Sequence, residues 1–277
     1  MSIISKNNTN HKVVKMNEIE KRKVVEHNDL ISSVAKMDKT PLKIFELAVS
    51  CIDTENPPKD NIIYLSKKEL FRFFKVSDND KHSRFKHAIE VMQKQAYFNI
   101  RQNKELGIEY ESIVPIPTVK WNSYNDDVFI RFNPDIMPYL IDLKNNFTQY
   151  ALSDVMELNS KYSIILYKWL SMNFNQYEHY SHKGGRRKEQ LEEYANPSIK
   201  ISELRQLTDT VNEYKKFPDF RKKTIDIPIE EINRHTHFMV TYEKIKKGRS
   251  IDSIQFHIAK KEQPIELNGE YKEREQD

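Results

Sequence analysis

Asn159-Ser-Lys-Tyr-Ser-Ile-Ile-Leu-Tyr-Lys-Trp-Leu-Ser-Met-Asn-Phe174 is the stretch from which the rest of the chain is read. Tyr162, Ile165, Leu166, Trp169 and Leu170 recur at i, i+3, i+4, i+7 and i+8, which puts five large apolar side chains on one helical face. Asn159 or Ser160 is placed to cap the first turn. Ile164, Tyr167 and Ser171 lie off the main stripe and offer a second packing surface, so the pattern predicts a core helix at a seam between two domains. An ordinary buried helix in one larger domain would give the same periodicity.

Before this stretch, residues 1 to about 23 are polar and lack a sustained apolar period, which predicts a disordered arm. Leu30, Ile31 and Val34 start one helix, and Leu42, Ile44, Phe45, Leu47, Ala48 and Cys51 form a longer one with Pro41 in its first turn. Ile62 to Leu65 reads as a strand. Ser66-Lys-Lys-Glu69 then matches a capping box, with Leu70, Phe73 and Phe74 turned inward. A polar turn, Val76 to Asp80, precedes a helix from Lys81 that buries Phe85, Ala88, Ile89 and Met92. Strand-like runs follow at Tyr97 to Arg101, Ile113 to Trp121 and Val128 to Phe132, with Asn125-Asp126-Asp127 as a turn. Asn133 to Leu143 reads as a short helix.

After it, Asn175 to Pro197 has Gly184-Gly185, Arg186-Arg187-Lys188 and no period, so a mobile loop is expected. Ile199 to Leu207 repeats strand and helix, with Ser202 as N-cap and Leu204 and Leu207 inward. Pro228 cannot donate a helical hydrogen bond, which splits Phe217 to Asn233 into helices at Pro218 to Ile225 and Pro228 to Arg234. Phe238 to Glu243 and Ile251 to Ala259 alternate as strands. Each half thus runs helix, helix, hairpin, a weak internal repeat. The expected fold is α+β, two tandem winged-helix domains, mostly helical with short antiparallel hairpins. The divisions expected are an arm over 1–23, a first domain over 24–153, a second over 154–261 and an acidic disordered tail over 262–277.

Composition narrows the function. The 277 residues suffice for two cores. Net charge is only +4, but residues 160–261 hold 20 Lys and Arg against 13 Asp and Glu, while 262–277 hold 2 against 6. Basic charge concentrated in the second half fits a nucleic-acid face. Cys51 is the lone cysteine, which excludes an intrachain disulfide and a cysteine-cluster zinc site. No apolar run is long enough for a membrane span, so a cytoplasmic protein with no membrane partner is expected.

In the second half, Phe217, Phe220 and Thr224 share one side of the first helical piece, which turns Asp219, Lys222, Lys223 and Asp226 outward with Arg221 at the border. An α-helix fits the major groove of duplex DNA, where Arg or Lys reads guanine and Asp accepts from cytosine. Lys215 and Lys216 precede this recognition helix within reach of phosphate. The wing tip, Lys244, Lys246, Lys247 and Arg249, suits backbone contact. Lys81, His82, Arg84 and Lys86 are the corresponding candidates in the first domain. Three adjacent basic residues in an arbitrary helix would be a solvated face; their position between a helical turn and a hairpin is what points to DNA.

The wording of the chain agrees. Leu158-Asn-Ser-Lys-Tyr-Ser-Ile-Ile-Leu-Tyr-Lys-Trp-Leu170 resembles the segment that opens the second winged-helix domain of the Rep_3 family of plasmid replication initiators. Asp219-Phe220-Arg-Lys-Lys and Glu231-Ile232-Asn233 are similar to that family's recognition-helix region. The resemblance runs from about Val25 to Lys260, and departs from the family where Ile165 replaces an arginine before the Leu-Tyr pair. It implies an initiator that binds direct repeats (iterons) in origin double-stranded DNA and promotes origin opening. It also implies recruitment of the host replication initiator and helicase, and autorepression by a homodimer in equilibrium with monomer. In the family the second domain supplies most specificity, and the first adds backbone contacts or dimerises.

Enzyme readings are weaker. There is no G-x-x-x-x-G-K-[ST] loop and only five glycines in all. No cofactor, metal or catalytic residue is expected. A rolling-circle nickase is the sharpest alternative, since His235-Thr236-His237 would put two imidazoles on one side of a strand near Tyr242. A transcriptional repressor without a replication role is the other alternative.

Overall fold

The computed structural model describes residues 21–74, 81–143 and 146–261. Residues 1–20 of the arm expected over 1–23, the turn at Val76 to Asp80 and the acidic tail from 262 lie outside the described residues. Strand β1 (Lys23–His27) runs into the one-turn helix α1 (Asn28–Ile31) and strand β2 (Val34–Lys36). Arg22 pairs with Glu69 at 2.9 Å and Lys23 already belongs to β1, so the end of the expected arm falls inside the fold. The helix expected through Val34 stops at Ile31, where Ser33 Oγ donates to the Leu30 carbonyl. The β-branched Val34 instead pairs with Asn99 in a sheet.

Helix α2 (Lys39–Val49), strand β3 (Ile62–Ser66), helix α3 (Lys67–Phe73) and helix α4 (Lys81–Gln95) follow. Ser66 Oγ accepts the N–H groups of Lys68 and Glu69, but the Glu69 carboxylate turns to Arg22, so only half of the expected capping box forms. Asp126 reinforces the half that does form, accepting the same Lys68 N–H at 3.2 Å. Strands β4 (Tyr97–Lys104) and β5 (Gly107–Ile113) make a hairpin beside β2, and β6 (Thr118–Lys120) and β7 (Asp127–Arg131) make another beside β3. The single strand expected over Ile113 to Trp121 is therefore two strands. Pro115 and Pro117 separate them, because neither can donate to a ladder. Helix α5 (Pro138–Ile141) is one turn, shorter than the Asn133 to Leu143 helix expected. Strand β8 (Phe147–Ala151) pairs with β1 and runs into α6 (Leu152–Glu157).

Helix α7 (Lys161–Lys183) is capped by Ser160, whose Oγ accepts the Tyr162 N–H at 3.1 Å. Every side chain from Tyr162 to Ser171 is buried. It packs on β8, α1 and α2 on one side, as a helix at a seam must. The mobile loop expected over Asn175 to Pro197 is instead the end of α7, a short turn and helix α8 (Lys188–Ala195). Residues 175–183 contain no Gly or Pro, so the helix continues with polar side chains outward until Gly184 ends it at φ +74°. Tyr180 then stacks on Tyr194 and ties α8 to α7.

Strand β9 (Ser198–Lys200) leads to α9 (Ile201–Leu207), which starts one residue before the expected cap Ser202; the Lys200 N–H goes to Glu203. Helix α10 (Phe217–Arg221), a π turn over Lys222–Asp226 and helix α11 (Ile227–His235) form one continuous helix. The break expected at Pro228 does not occur. In the π turn the Ile227 N–H reaches back to the Lys222 carbonyl, and this widened turn carries the chain into Pro228, whose ring stands in the first turn of α11. Strands β10 (Phe238–Lys247) and β11 (Ser250–Lys260) close the chain, in sheet order β10-β11-β9.

The internal repeat is sharper in topology than in letters. In each half a helix and a short strand precede two helices and a hairpin, and the short strand pairs with the second strand of that hairpin: β3-β7-β6, then β9-β11-β10. These are two winged helices. Strands β1, β2, β4, β5 and β8 belong to the first half alone. One apolar core joins both halves, running from Val24 to Ile258 through α7.

At the centre of that joint lies an ion cluster that the apolar periodicity conceals. The Lys168 ammonium, on α7, is 2.6 Å from Glu46 on α2 and 2.8 Å from Glu26 on β1, all three buried. Tyr150 donates its hydroxyl to Glu46. Neither Glu26 oxygen accepts a well-directed hydrogen bond. Burial, then the neighbouring Glu46 charge, pushes the Glu26 carboxyl up to about 7, against the pull of Lys168. The two carboxylates hold the Lys168 ammonium above its ordinary value despite its burial.

Candidate nucleic-acid interface

The helix from Phe217 to His235 buries Phe220, Thr224, Ile225, Ile229 and Ile232, and its π turn and α11 pack against α7, with α11 also on the wing sheet. That leaves Asp219, Lys222 and Lys223 exposed, as the spacing predicts. Asp226 differs from expectation. It is half-buried, accepting from Arg221 Nε at 3.1 Å and from the Tyr242 hydroxyl at 2.6 Å. Arg221 is thus braced along its own helix, and Lys222 and Lys223 are the cations this surface presents outward. Both lie on the π turn.

The turn before this helix is built by a residue that the search for basic runs passes over. Arg205, on α9, donates to the carbonyls of Thr210, Glu213 and Tyr214, and its guanidinium stacks 4.1 Å from the Phe220 ring centroid. It ties the turn to the recognition helix. Lys215 and Lys216 leave that turn exposed, and Lys216 enters the helix as its N-cap in extended backbone. The one available signal was an arginine five residues before a turn rich in Thr, Asn and Asp.

The wing is a two-residue hairpin, Lys247 facing Ser250. Gly248 at φ +64° takes the first central position, where an L side chain would be strained. Lys244, Lys246, Lys247 and Arg249 are all exposed around it. In the first half, α4 is the counterpart of the recognition helix. His82, Arg84 and Lys86 are exposed on it, with the His82 ring edge-on to Phe71 and Lys86 3.9 Å from Glu90; Lys81 opens the helix. The structure places these four on a different surface element from the second-half set.

Gly184 and Gly185 do not join either set. Lys260, at the end of β11 away from the wing tip, pairs with Glu178 on α7, and the glycine turn follows six residues beyond Glu178. Nor do the histidines form a strand pair. His235 ends α11, Thr236 caps it, and His237 Nδ1 lies 2.7 Å from Asp154, which also accepts the Tyr167 hydroxyl. Burial and then the Asp226 bond push the Tyr242 hydroxyl up to about 12, the reverse of what a nucleophile needs. Among the described residues no group of three His, Cys, Asp or Glu could hold a metal, and no helix is long and apolar enough to cross a membrane.

Residues 23–171 match the family described as Initiator Replication protein, WH1, and residues 200–258 that described as Initiator Rep protein, WH2. A PI protein of Escherichia coli is 21% identical over 268 residues, covering 88% of this chain and 85% of that protein. A Replication initiation protein of Escherichia coli is 24% identical over 143 residues, covering 50% of this chain and 40% of that protein. The crystal structure of Pi initiator protein in complex with iteron DNA shares the fold, with a TM-score of 0.67 at 20% identity over 88% of this chain and 99% of that one.

Proposed function

We propose, since this chain belongs to the Rep3 family of initiator replication proteins, that it starts plasmid replication by binding repeated origin duplex sequence-specifically. The observation that carries this is the unbroken helix Phe217 to His235, with Lys222 and Lys223 exposed on its π turn, Lys215 and Lys216 before it and a basic wing tip beside it. Lys222 and Lys223 read base edges, while Lys215, Lys216, Lys244, Lys246, Lys247 and Arg249 hold phosphates. Asp219 accepts from cytosine at the groove edge, and Arg221 supports the turn. Lys81, His82, Arg84 and Lys86 add backbone contacts from the first half. The iteron-bound relative supports repeated duplex as the target, and the resemblance to the Rep_3 family alone carries the further steps of origin opening, recruitment of host replication proteins and autorepression by a dimer. The protein works in the cytoplasm.

Binding isotherms on cognate and scrambled duplexes at several salt concentrations test the assignment. Lys222→Ala and Lys223→Ala are each expected to weaken cognate binding by roughly 1–3 kcal/mol. Lys246→Ala should lower the salt slope by about 1 without changing sequence preference. Equal losses on both duplexes would move Lys222 and Lys223 to the phosphate set. The protein cuts no strand in this reading, because Tyr242 is held on Asp226 and His237 on Asp154. A covalent adduct with supercoiled origin DNA in Mg²⁺ or Mn²⁺, lost in Tyr242→Phe, would overturn that.

A further inference from the structure

A hollow of about 490 Å³ opens in the first winged helix between the start of α2, the end of α3 and the middle of α4, with the end of α6 as its fourth wall. Phe74 and Phe71 at the end of α3 and Phe85 and Val91 on α4 give it an apolar floor, on which Phe71 and Phe74 stay only half-buried. Its rim is cationic, with Lys39 and Arg84 both exposed. Among the described residues of the lining, Asp38 is the one acidic side chain. Lys43, within α2, donates to the Met156 carbonyl and lies 5.9 Å from the Phe73 ring centroid, so the wall formed by α6 is fastened to the floor. An apolar floor inside a basic rim suits an acidic peptide that carries a few large apolar side chains, and the volume is in the range of sites that enclose such groups.

The chain itself carries such a peptide. Residues 262–277 hold six Asp and Glu against two Lys and Arg, and in extended form Ile265-Glu-Leu267 would turn two apolar side chains to one side and Glu266 to the other. The segment departs close to the hollow: the Lys261 N–H donates to the His237 carbonyl at 2.9 Å, His237 Nδ1 is 2.7 Å from Asp154 on α6, and Met156 and Asn159 of the hollow's wall come next along that stretch. Asn159 follows Asp154 by five residues, at most about 18 Å of chain, whereas the ten residues from Lys261 to Tyr271 reach about 33 Å. We propose that residues 262–277 dock in this hollow, with Ile265 and Leu267 on the rings of Phe71, Phe74 and Phe85 and with Glu266 and Glu270 against Lys39 and Arg84. Residues 1–20 join the chain near α3, where Arg22 pairs with Glu69, but they hold three Lys against two Glu, and a cationic rim disfavours them. Docked in the hollow, the acidic segment covers Arg84 and competes with duplex phosphate for α4, a consequence that rests on the reading of α4 as a phosphate-contacting helix.

The test is fluorescence anisotropy with a labelled peptide of residues 262–277, added to the intact chain and to a protein ending at Lys261, which keeps every described element. The shortened protein should bind the peptide saturably, and the intact chain at least about tenfold more weakly, because its own segment fills the hollow at high effective concentration. Ile265→Ser with Leu267→Ser in the peptide should cost roughly tenfold or more, a change that leaves the fold of the protein untouched. Lys39→Glu with Arg84→Glu in the shortened protein should weaken binding several-fold, and by less in high salt, with the thermal melt unchanged. The emission of Trp121, whose ring meets Phe85 edge-on at 5.4 Å, should shift as the peptide binds, and the shift should be lost in Trp121→Phe. No binding by the shortened protein, equal binding of a scrambled peptide of the same composition, or binding indifferent to Lys39 and Arg84 would each overturn the proposal. Equal affinity of the intact and shortened chains would overturn it too, and leave the hollow to a second copy's segment or to a foreign partner. Labelled cognate duplex is a separate arm: the shortened protein should bind it several-fold more tightly, with a salt slope steeper by about 1 for the phosphate at Arg84. Peptide binding without that gain would strike the assignment of α4 to phosphate and leave the docking standing.

Discussion

Replacing Glu26 with Gln removes one carboxyl from the buried cluster and leaves Lys168 and Glu46 as a balanced pair. In the native chain the Glu26 carboxyl titrates near 7, against an ordinary value of 4.5, because burial and Glu46 oppose its charge more than Lys168 favours it. The sign follows from which state holds the proton. Between pH 4.5 and 7 the unfolded chain has lost this proton while the folded chain keeps it, so stability falls as pH rises, by up to about 1.4 kcal/mol per unit. The penalty is absent below about pH 4.5, grows through that window and levels off above 7 at about 3 kcal/mol. Glu26→Gln carries no such penalty. Urea unfolding of both proteins at pH 5, 6, 7 and 8 isolates the effect, since every other titrating group is shared. The wild type should lose stability relative to the variant by about 2–3 kcal/mol from pH 5 to 8. Parallel curves would refute the reasoning and mean that Lys168 keeps Glu26 ionised throughout.

The same cluster governs where the chain can be divided. A fragment ending at residue 153 keeps Glu26 and Glu46 but loses Lys168, so residues 21–183 should show a cooperative melt by circular dichroism and 21–153 should not. If 21–153 melts cooperatively at a similar temperature, α7 is dispensable to the first half. Arg205→Ala frees the carbonyls of Thr210, Glu213 and Tyr214 and loosens the turn before the recognition helix. It should weaken cognate binding more than scrambled binding, by about tenfold, with Arg205→Lys restoring little because lysine cannot make the forked contact. Equal losses on both duplexes would mean that the turn positions charge and not the reading helix.

What the sequence discloses here follows what is local. The winged-helix order, the buried stripe of α7, the wing-tip lysines and the outward Lys222 and Lys223 all depend on spacing within one element, and periodicity reports spacing. The failures share the opposite property. Pro228 reads as a break because a proline rule describes an α-helix; a π turn one residue earlier lets the same ring continue the helix, and nothing in the letters announces it. The segment after Phe174 reads as loop because its residues are polar, although Tyr180 finds its partner fourteen positions on, at Tyr194. Lys168 sits inside the apolar stretch of α7, and its partners lie 142 and 122 residues earlier. Arg205 works through backbone carbonyls, which have no letters at all.

Helix α7 connects these observations mechanically. Over one turn it sets Lys168 against β1 and α2 of the first half and Trp169 against Phe256 of the second wing sheet, with rings 5.8 Å apart. Tyr167 and Phe174 both meet Phe238 at the start of the same sheet, at 5.8 and 5.3 Å. A helix of 23 residues is a rod about 35 Å long and does not kink sharply without a Gly, Pro or π turn, none of which it contains. The second winged helix is therefore packed onto the same rigid element that closes the core of the first. The helix Phe217 to His235 takes its angle from α7 through its π turn and α11, and from the sheet through the Tyr242 and Asp226 bond. Turning one reading head relative to the other requires either pulling Lys168 away from two buried carboxylates or stripping Phe238 and Phe256 from α7. The first leaves uncompensated charge in an apolar core, and the second exposes two large aromatic rings. The seam thus resists reorientation from both sides, through the Lys168 ion cluster on the first half and through the Phe238 and Phe256 rings on the second.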